Sequence, residues 1–155
     1  MDEVTATDSA HGRHRDASAI RSYDDRDEAA VVALMEVVFA NDSPWNVPLE
    51  VVRRKTLVQR ELFLVAEVDG VVVGTLMAGF DGVRGWVHKL AVHPDHRRCG
   101  LASGLMAEAE RRLRALGCPK LNLQVRASNA DVVAFYRRLG YAVEANVSLG
   151  KRLET

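Results

Sequence analysis

The sequence predicts a mixed α/β fold with a single, mostly antiparallel sheet flanked by helices. Two hairpin signals support this prediction, because Asp69-Gly70 and Asp81-Gly82 each stand between runs of apolar and β-branched residues. A third observation is the strand–helix–strand passage over residues 85–125, which requires a crossover connection. One parallel pair of strands is therefore expected inside the antiparallel sheet.

The chain is expected to become ordered near residue 19. Residues 1–18 are polar and small and show no apolar period, so we expect a flexible extension followed by one domain over residues 19–155. Asp25 and Glu28 have the spacing of a capping box and stand before apolar residues at helical spacing. This pattern predicts the start of the first helix.

Turn residues and apolar periodicity delimit the other elements. Two prolines and an Asn-Asp-Ser cluster separate the first two helices, and glycines end the last two. The helices are predicted at residues 26–40, 49–60, 100–116 and 130–139. The strands are predicted at residues 19–22, 62–68, 71–80, 85–92 and 120–125, with one or two more within 141–153.

Composition and charge exclude several classes of function. The chain has 155 residues, 48% hydrophobic and 27% charged, which is typical of a globular domain with its own core. Its 21 lysine and arginine residues balance 21 aspartate and glutamate residues, so no overall field favours nucleic acid. We expect no membrane span, because no stretch approaches the ~18 apolar residues that one needs. With a polar N-terminus, the expected location is cytoplasmic.

Neither the cysteines nor the histidines form a metal-binding pattern. Cys99 and Cys118 make no disulfide framework and have no Cys/His partners at metal-ligand spacing. His93 and His96 flank Pro94-Asp95 within a predicted loop, but no second pair completes four ligands. We therefore expect no metal.

A basic segment joins a predicted strand to the longest predicted helix: Arg97-Arg98-Cys99-Gly100-Leu101-Ala102. The backbone N–H groups and the positive end of a helix make this a suitable place for a pyrophosphate. The two arginines add charge, Gly100 allows close approach, and Ala102 keeps the second helical position small. Cys99 is expected to contribute its backbone rather than a nucleophile. The alternative is a helix preceded by a solvated basic loop.

Residues from about 20 to 153 resemble the GNAT superfamily of N-acetyltransferases, whose pyrophosphate-binding signature is Gln/Arg-x-x-Gly-x-Gly/Ala. Here that signature spans residues 97–102 and follows Leu90-Ala91-Val92 and His93-Pro94. A second matching block is Asn129-Ala130-Asp131-Val132-Val133-Ala134-Phe135-Tyr136-Arg137-Arg138-Leu139-Gly140-Tyr141. The segments 44–46 and 148–153, with Gly85, further resemble the bacterial YpeA-like group, which says little about the substrate.

The resemblance implies that acetyl-CoA is the acyl donor. It implies that the backbone of Leu90 and Val92 bonds the pantetheine arm like an added strand, and that Asn129 contacts the cofactor besides capping its helix. The expected cofactor-binding residues are Leu90, Ala91, Val92, Arg97, Arg98, Cys99, Gly100, Leu101, Ala102, Ser103, Asn129 and Tyr136.

The resemblance also implies that Tyr136 is the general acid. A phenol near pKa 10 donates its proton to a thiolate, reference pKa near 8.5, only as that thiolate forms; the alternative is a core aromatic. Many relatives carry a glutamate that acts as the general base at one of two positions, which correspond to Trp86 and Gln124 here. Neither of these side chains is a base. His88, expected on the strand face of Trp86 and Leu90, could accept a proton directly or through water. The alternative is a structural histidine.

The acceptor is expected to be a primary amine of a small molecule or a peptide. At pH 7 an α-amine is about 10% neutral and a lysine about 0.04%, a factor of roughly 250, so a site without a strong base suits an α-amine. Trp45, Asn46 and His88 are the expected substrate contacts, although Trp45 could instead anchor its loop. The oligomeric state stays open, a homodimer included. The alternative functions are a non-catalytic acetyl-CoA sensor and an interaction module.

Overall fold

The computed structural model describes residues 18–153, which fall into two compact units. The first unit ends at Leu123 and contains the sheet and three helices, and the second begins at Gln124 and contains a fourth helix. The predicted extension lies outside the described residues except for Ser18, which begins the first strand.

Five strands and four helices make up the regular structure of residues 18–153. The strands are β1 (Ser18–Ser22), β2 (Phe63–Val68), β3 (Val71–Phe80), β4 (Gly85–Val92) and β5 (Leu121–Leu123). The helices are α1 (Glu28–Val38), α2 (Pro48–Lys55), α3 (Leu101–Ala115) and α4 (Ala130–Arg138). Every element predicted before residue 140 is confirmed, although α2 ends earlier than expected and β5 is only three residues long.

The strands lie in the sheet in the same order as in the chain, β1-β2-β3-β4-β5. The first three pairings are antiparallel and the β4–β5 pairing is parallel, as the crossover through α3 requires. Asp69 and Gly70 both have positive φ, which is the conformation that a two-residue hairpin turn demands. The prediction of a mixed, mostly antiparallel sheet is confirmed.

The core of the first unit covers both faces of its sheet. On one face, Val31 and Met35 of α1 and Val52 of α2 pack with Phe63 and Met77 of the sheet, and all five are buried. On the other face, α3 lies so close that a Cβ on Gly74 would stand 3.2 Å from Leu105. The helices thus flank the sheet on both of its faces.

The capping box lies one residue earlier than predicted. The Asp24 side chain accepts the Arg26 N–H at 3.0 Å, and the Asp27 carboxylate accepts the Asp24 N–H at 2.8 Å. A 3-10 turn over Asp25–Asp27 therefore precedes α1. The prediction of an Asp25–Glu28 box is wrong because the buried Asp27, rather than Glu28, returns to the cap.

Residues 141–153 form no strand, so the prediction of one or two final strands is wrong. Apolar side chains alternate with polar ones along much of this segment, which is the pattern of a half-buried strand. Those apolar side chains are exposed, however, and Val147 and Leu149 are 85% and 91% exposed. Alternation of apolar and polar residues shows only that a segment would suit a sheet if a partner strand were available. No described residue forms a strand ladder with residues 141–153.

None of the described helices combines the length and the apolar character that crossing a bilayer would need.

Candidate functional site

The candidate phosphate-binding turn stands between β4 and α3. Gly100, the N-cap of α3, has φ 77°, and Arg98 has φ 63°. Glycine adopts this left-handed conformation readily, whereas it strains a residue with a Cβ. A Cβ at Gly100 would meet nothing within 4 Å, so open space lies beside this part of the backbone.

The first turn of α3 is suited to an anion. The N-cap residue, Gly100, has no side chain to accept a hydrogen bond from the free N–H groups of the first turn, and that turn contains no acidic residue. No local acceptor of either kind therefore competes with an anion for these N–H groups. Arg97, Arg98 and Cys99 are exposed, and Ala102 and Ser103 are half-buried. The local charge is therefore positive, from two guanidinium groups and the helix end.

The arginine at the start of this turn also marks the end of β4. Arg97 Nε donates to the Val92 carbonyl at 3.4 Å. The Cys99 thiol donates to the Arg97 carbonyl at 3.5 Å, and this is a contact within the turn. Cys99 thus takes part in the structure of the turn. Its expected backbone role towards the cofactor stays a prediction.

The pairing of β4 with β5 stops halfway along β4. The parallel ladder joins only residues 85–87 to residues 121–123. Among residues 18–123, the β5-facing edge of β4 has no strand partner from His88 to Val92. That edge, which includes the backbone of Leu90 and Val92, is open to an extended ligand that adds to the sheet.

A bulge interrupts β4 next to this edge. Thr75 pairs with Ala91 and Met77 pairs with His88, so one residue of β3 faces two residues of β4. Lys89, the first of those two, has φ 54°. The bulge therefore holds a non-glycine residue in a strained backbone conformation.

The bulge corrects the predicted face of β4. His88 stacks on Trp86 at a centroid distance of 6.5 Å, so these two side chains share a face as predicted. The prediction that Leu90 also shares it is wrong, because alternation fails at the bulge. The register instead places Ala91 on the face of His88, since their partners in β3 are two residues apart.

The expected substrate residues are connected through one ion pair. Residues 41–47, which we call the acceptor loop, join α1 to α2 and contain Trp45 and Asn46. Asn46 Nδ2 donates to the Asp42 carboxylate at 3.1 Å, and Asp42 is paired with the Lys89 ammonium of β4. The loop is thereby held against β4 at Lys89, and Trp45 is 49% exposed on it.

His88 is a neutral imidazole at pH 7. Partial burial of the ring, and then the positive charges of Lys89 and Lys55, lower the pKa of His88 below its usual 6.5. The side chain is nevertheless exposed enough to meet solvent. It can therefore accept a proton, directly or through water, where a carboxylate is missing.

Three charged residues around His88 and Lys89 were not predicted from the sequence as site residues: Asp42, Lys55 and Lys89. Burial lowers the pKa of Lys55, whose ammonium donates to the carbonyls of Val58 at 2.8 Å and Ala78 at 2.5 Å. Strict alternation would have placed Lys89 on a buried face of β4. A lysine at such a position is the signal that could have revealed the bulge.

The second unit contains the other two predicted residues. The Asn129 side chain accepts the Val132 N–H at 3.4 Å, which confirms its capping role. Tyr136 is 8% exposed and packs edge-on against Phe135 and Tyr141. Burial raises the pKa of Tyr136 to about 12. The contacts of Asn129 and Tyr136 with a cofactor stay predictions.

Neither Trp86 nor Gln124, the two positions at which relatives carry the glutamate base, can act as a base here. Trp86 stacks on His88, and Gln124 donates from Nε2 to the Ser148 hydroxyl at 2.5 Å. Among residues 18–153 no group of three or more His, Cys, Asp or Glu side chains is arranged to hold a metal ion. His93 instead accepts the Asp95 N–H at 3.2 Å and orders its own turn.

Residues 21–141 match the family model described as Acetyltransferase (GNAT) family. An acetyltransferase of Yersinia pestis (strain Pestoides F) is 48% identical over 110 residues, which cover 71% of this chain and 78% of the relative. An acetyltransferase of Sodalis glossinidius (strain morsitans) is 49% identical over 111 residues, with the same coverage of 71% and 78%.

Solved structures share the fold at lower sequence identity. Ard1 from Thermoplasma volcanium has a TM-score of 0.75 at 23% identity, covering 83% of this chain and 85% of that one. Aminoglycoside N-acetyltransferase AAC(6')-Iy in complex with CoA has a TM-score of 0.75 at 18% identity, covering 90% and 97%. The ribosomal-protein-S18-alanine N-acetyltransferase from Escherichia coli has a TM-score of 0.67 at 25% identity, covering 80% and 77%. With its sheet, its glycine turn and these relatives, the chain belongs to the GNAT family of acetyltransferases.

Proposed function

We propose that this protein transfers the acetyl group of acetyl-CoA to a primary amine of a small molecule or a peptide. The observation that carries the proposal is the amino end of α3. There the N-cap Gly100, with positive φ and no side chain to cap the helix, follows β4, whose β5-facing edge has no strand partner beyond Val87 among residues 18–123. Family membership makes the chain an acetyltransferase. The nature of the acceptor and the residue roles below belong to the proposal.

The residues of the first unit fit acetyl-CoA, which supplies an activated thioester. Open space at Gly100 admits phosphate oxygens to the N–H groups of the first helical turn. Arg97 and Arg98 neutralise the phosphate charge, and the edge of β4 at Leu90 and Val92 bonds the pantetheine arm. AAC(6')-Iy, which shares the fold, has been solved with CoA.

Tyr136 serves as the acid for the departing sulfur in this proposal. Because its pKa is raised to about 12, the phenol stays protonated throughout the neutral range. Full proton transfer to a thiolate of reference pKa 8.5 would cost about 5 kcal/mol. We therefore assign to the hydroxyl a hydrogen bond that strengthens as negative charge grows on sulfur, with transfer completed as the thiol departs.

An α-amine is the favoured acceptor. No carboxylate stands at Trp86 or Gln124, so the amine must arrive largely neutral or lose its proton through neutral His88. An α-amine meets this condition far better than a lysine at pH 7. The solved neighbours are named for aminoglycosides and for a ribosomal-protein alanine, so small molecules and peptide N-termini both remain candidates.

A panel of amines tests this proposal through thiol release from acetyl-CoA. The matched substrates are a peptide with a free N-terminus and no lysine, and the same peptide with a blocked N-terminus and one lysine, beside small amines and aminoglycosides. We expect acetylation of free α-amines and no reaction of the blocked peptide at pH 7. A preference for the lysine peptide would contradict the assignment of the acceptor.

Calorimetry with acetyl-CoA separates the enzyme from the two alternatives. Binding without thiol release from any amine would favour the sensor, since Trp86 and Gln124 leave the base unassigned. Absence of binding would exclude both enzyme and sensor. The cytoplasmic location, a homodimer and the closer likeness to the YpeA-like group stay predictions.

A further inference from the structure

The acceptor loop is joined to β4 by a charged contact that has little access to solvent. The Lys89 ammonium pairs with the Asp42 carboxylate, and the two side chains are only 18% and 19% exposed. The ammonium also lies 4.7 Å from the centroid of the Phe39 ring, at the end of α1. Lys89 therefore touches both the loop and the helix that leads into it.

The carboxylate at the other end of this contact organises the loop itself. Asp42 accepts the Ser43 N–H at 2.7 Å and the Asn46 side chain at 3.1 Å. Burial raises the pKa of Asp42, but the hydrogen bonds from Lys89, Asn46 and Ser43 outweigh it and hold the pKa below its usual value. Asp42 thus stays ionised and gathers three donors.

The backbone of Lys89 is the second unusual feature. Its φ of 54° costs energy in any residue other than glycine, yet a lysine occupies the bulge. Such strain persists only where other contacts over-determine the conformation, and it is common at functional sites. The ion pair and the ring contact supply those contacts, and the next residue, Leu90, lies on the proposed cofactor edge.

We propose that Lys89 is a positioning residue: through Asp42 it holds the acceptor loop against the bulge of β4 and thereby sets the affinity for the amine. The inference rests on the proposed function and adds a residue that acts through the loop. Neither Lys89 nor Asp42 needs to touch the amine. Their pair fixes Asn46, and with it the loop that carries Trp45, against β4 at the residue that follows His88.

Steady-state kinetics with the best amine of the panel test this role in Lys89→Met, which keeps the length of the side chain and removes its charge. The comparison is made at pH 8, where His88 stays neutral with or without the Lys89 charge. We expect KM for the amine to rise about tenfold, on the scale of one hydrogen bond to a charged group, while kcat and KM for acetyl-CoA stay within about twofold of wild type. Lys89→Arg keeps the charge and should restore most of the affinity. Arg60→Met, which removes the Arg60–Asp25 ion pair, is the matched control and should leave all three constants unchanged.

Asp42→Asn should raise the amine KM as Lys89→Met does, and the double variant should be no worse than either single one, because one contact is lost in each. Equal changes in the amine KM, the acetyl-CoA KM and kcat would overturn the proposal, as would failure of Lys89→Arg to restore affinity. Fully additive effects would also overturn it.

Hydrogen exchange without substrates keeps this inference apart from the proposed function. Lys89→Met should speed amide exchange in residues 42–47 and leave β2 and β3 unchanged, whereas Arg60→Met should leave that segment as in wild type. If the wild type acetylates no amine, the proposed function fails, and exchange alone decides the positioning role. Unchanged exchange over residues 42–47 in Lys89→Met would then overturn it.

Discussion

Tyr136 shows how burial sets the chemistry open to one side chain. Its ring is 8% exposed, and desolvation of the phenolate raises the pKa to about 12. The group is therefore a proton donor or a hydrogen-bond donor at neutral pH and never a base. An exposed tyrosine would start to ionise near pH 10, so burial extends the range in which the hydroxyl can donate.

Tyr136→Phe should lower kcat by about 100-fold, because general acid assistance contributes on this scale, and should weaken acetyl-CoA binding far less, because the hydrogen bond to sulfur strengthens only as negative charge grows there. Stopped-flow or steady-state thiol release and calorimetry measure the two quantities. Tyr141→Phe, at a ring that packs edge-on against Tyr136, is the control and should keep kcat. Full activity of Tyr136→Phe at every pH would remove the acid from the mechanism.

At the scale of an element, α3 is the longest helix within residues 18–153 and has a glycine of positive φ beside each end. Gly100 has φ 77° at its start and Gly117 has φ 81° just past its end, and a Cβ at either would meet nothing within 4 Å. Gly100 and Gly117 thus have similar backbone conformations and equal room for an added Cβ. They differ in charge, because only the amino end presents N–H groups and a positive dipole.

Gly100→Ala and Gly117→Ala should each lower the free energy of unfolding by about 1–2 kcal/mol, the cost of a left-handed residue with a Cβ. Only Gly100→Ala should also weaken acetyl-CoA binding, by about tenfold or 1.4 kcal/mol, because its methyl group enters the space of the phosphate oxygens. Chemical unfolding and calorimetry give the two numbers. Equal loss of affinity in both variants would show that the turn is not the phosphate site.

Elements that depend on neighbours in the sequence were predicted well. Asp69-Gly70 identified the β2–β3 hairpin, and the glycine turn before α3 was placed correctly, since both are local patterns. Residues 141–153 were wrongly predicted as strands because alternating apolar and polar residues indicate only a tendency to form a strand. They do not show that a partner strand is present. The contact between Asp42 and Lys89 joins residues 47 positions apart, and no local pattern predicts it.

At the scale of the whole molecule, a network of charges ties the turn before α1 to strands β1 and β2. Arg21 of β1 donates two hydrogen bonds to the Asp27 carboxylate, at 2.7 and 2.9 Å, and also pairs with Glu67 of β2. The hydrogen bonds from Arg21 are the main cause that lowers the pKa of Asp27 below its usual 3.8. Since the Asp27 side chain is 6% exposed, solvent screens this pair little.

The stability from Asp27 should depend on pH with a definite sign. A lowered pKa means that the stabilisation is complete above the unfolded value near 3.9 and is lost as the pH falls through the folded value. Asp27→Asn should therefore lower the free energy of unfolding by about 2–3 kcal/mol at pH 7. The difference in unfolding free energy between wild type and Asp27→Asn should shrink as the pH falls below 4. Urea unfolding of both proteins at pH 7 and at pH 3 measures it.

Asp25→Asn is the matched control in the same turn. Asp25 pairs with Arg60 at 2.7 Å, but its side chain is 83% exposed, so its loss should cost less than about 1 kcal/mol. A loss in Asp27→Asn that is the same at pH 7 and pH 3 would show that packing, rather than charge, makes the contribution.

The strand order of the sheet has a consequence for how the first unit folds. Because each strand pairs with its neighbour in the chain, no pairing has to wait for a strand that lies further along. The β2–β3 hairpin closes over two residues, and the β4–β5 pairing comes last, after the crossover through α3. The β3–β4 closure over residues 81–84 is also short, and short closures cost little chain entropy and favour fast folding. The pairing of β1 with β2 spans residues 23–62, so the β2–β3–β4 meander is the part of the sheet with the lowest closure cost.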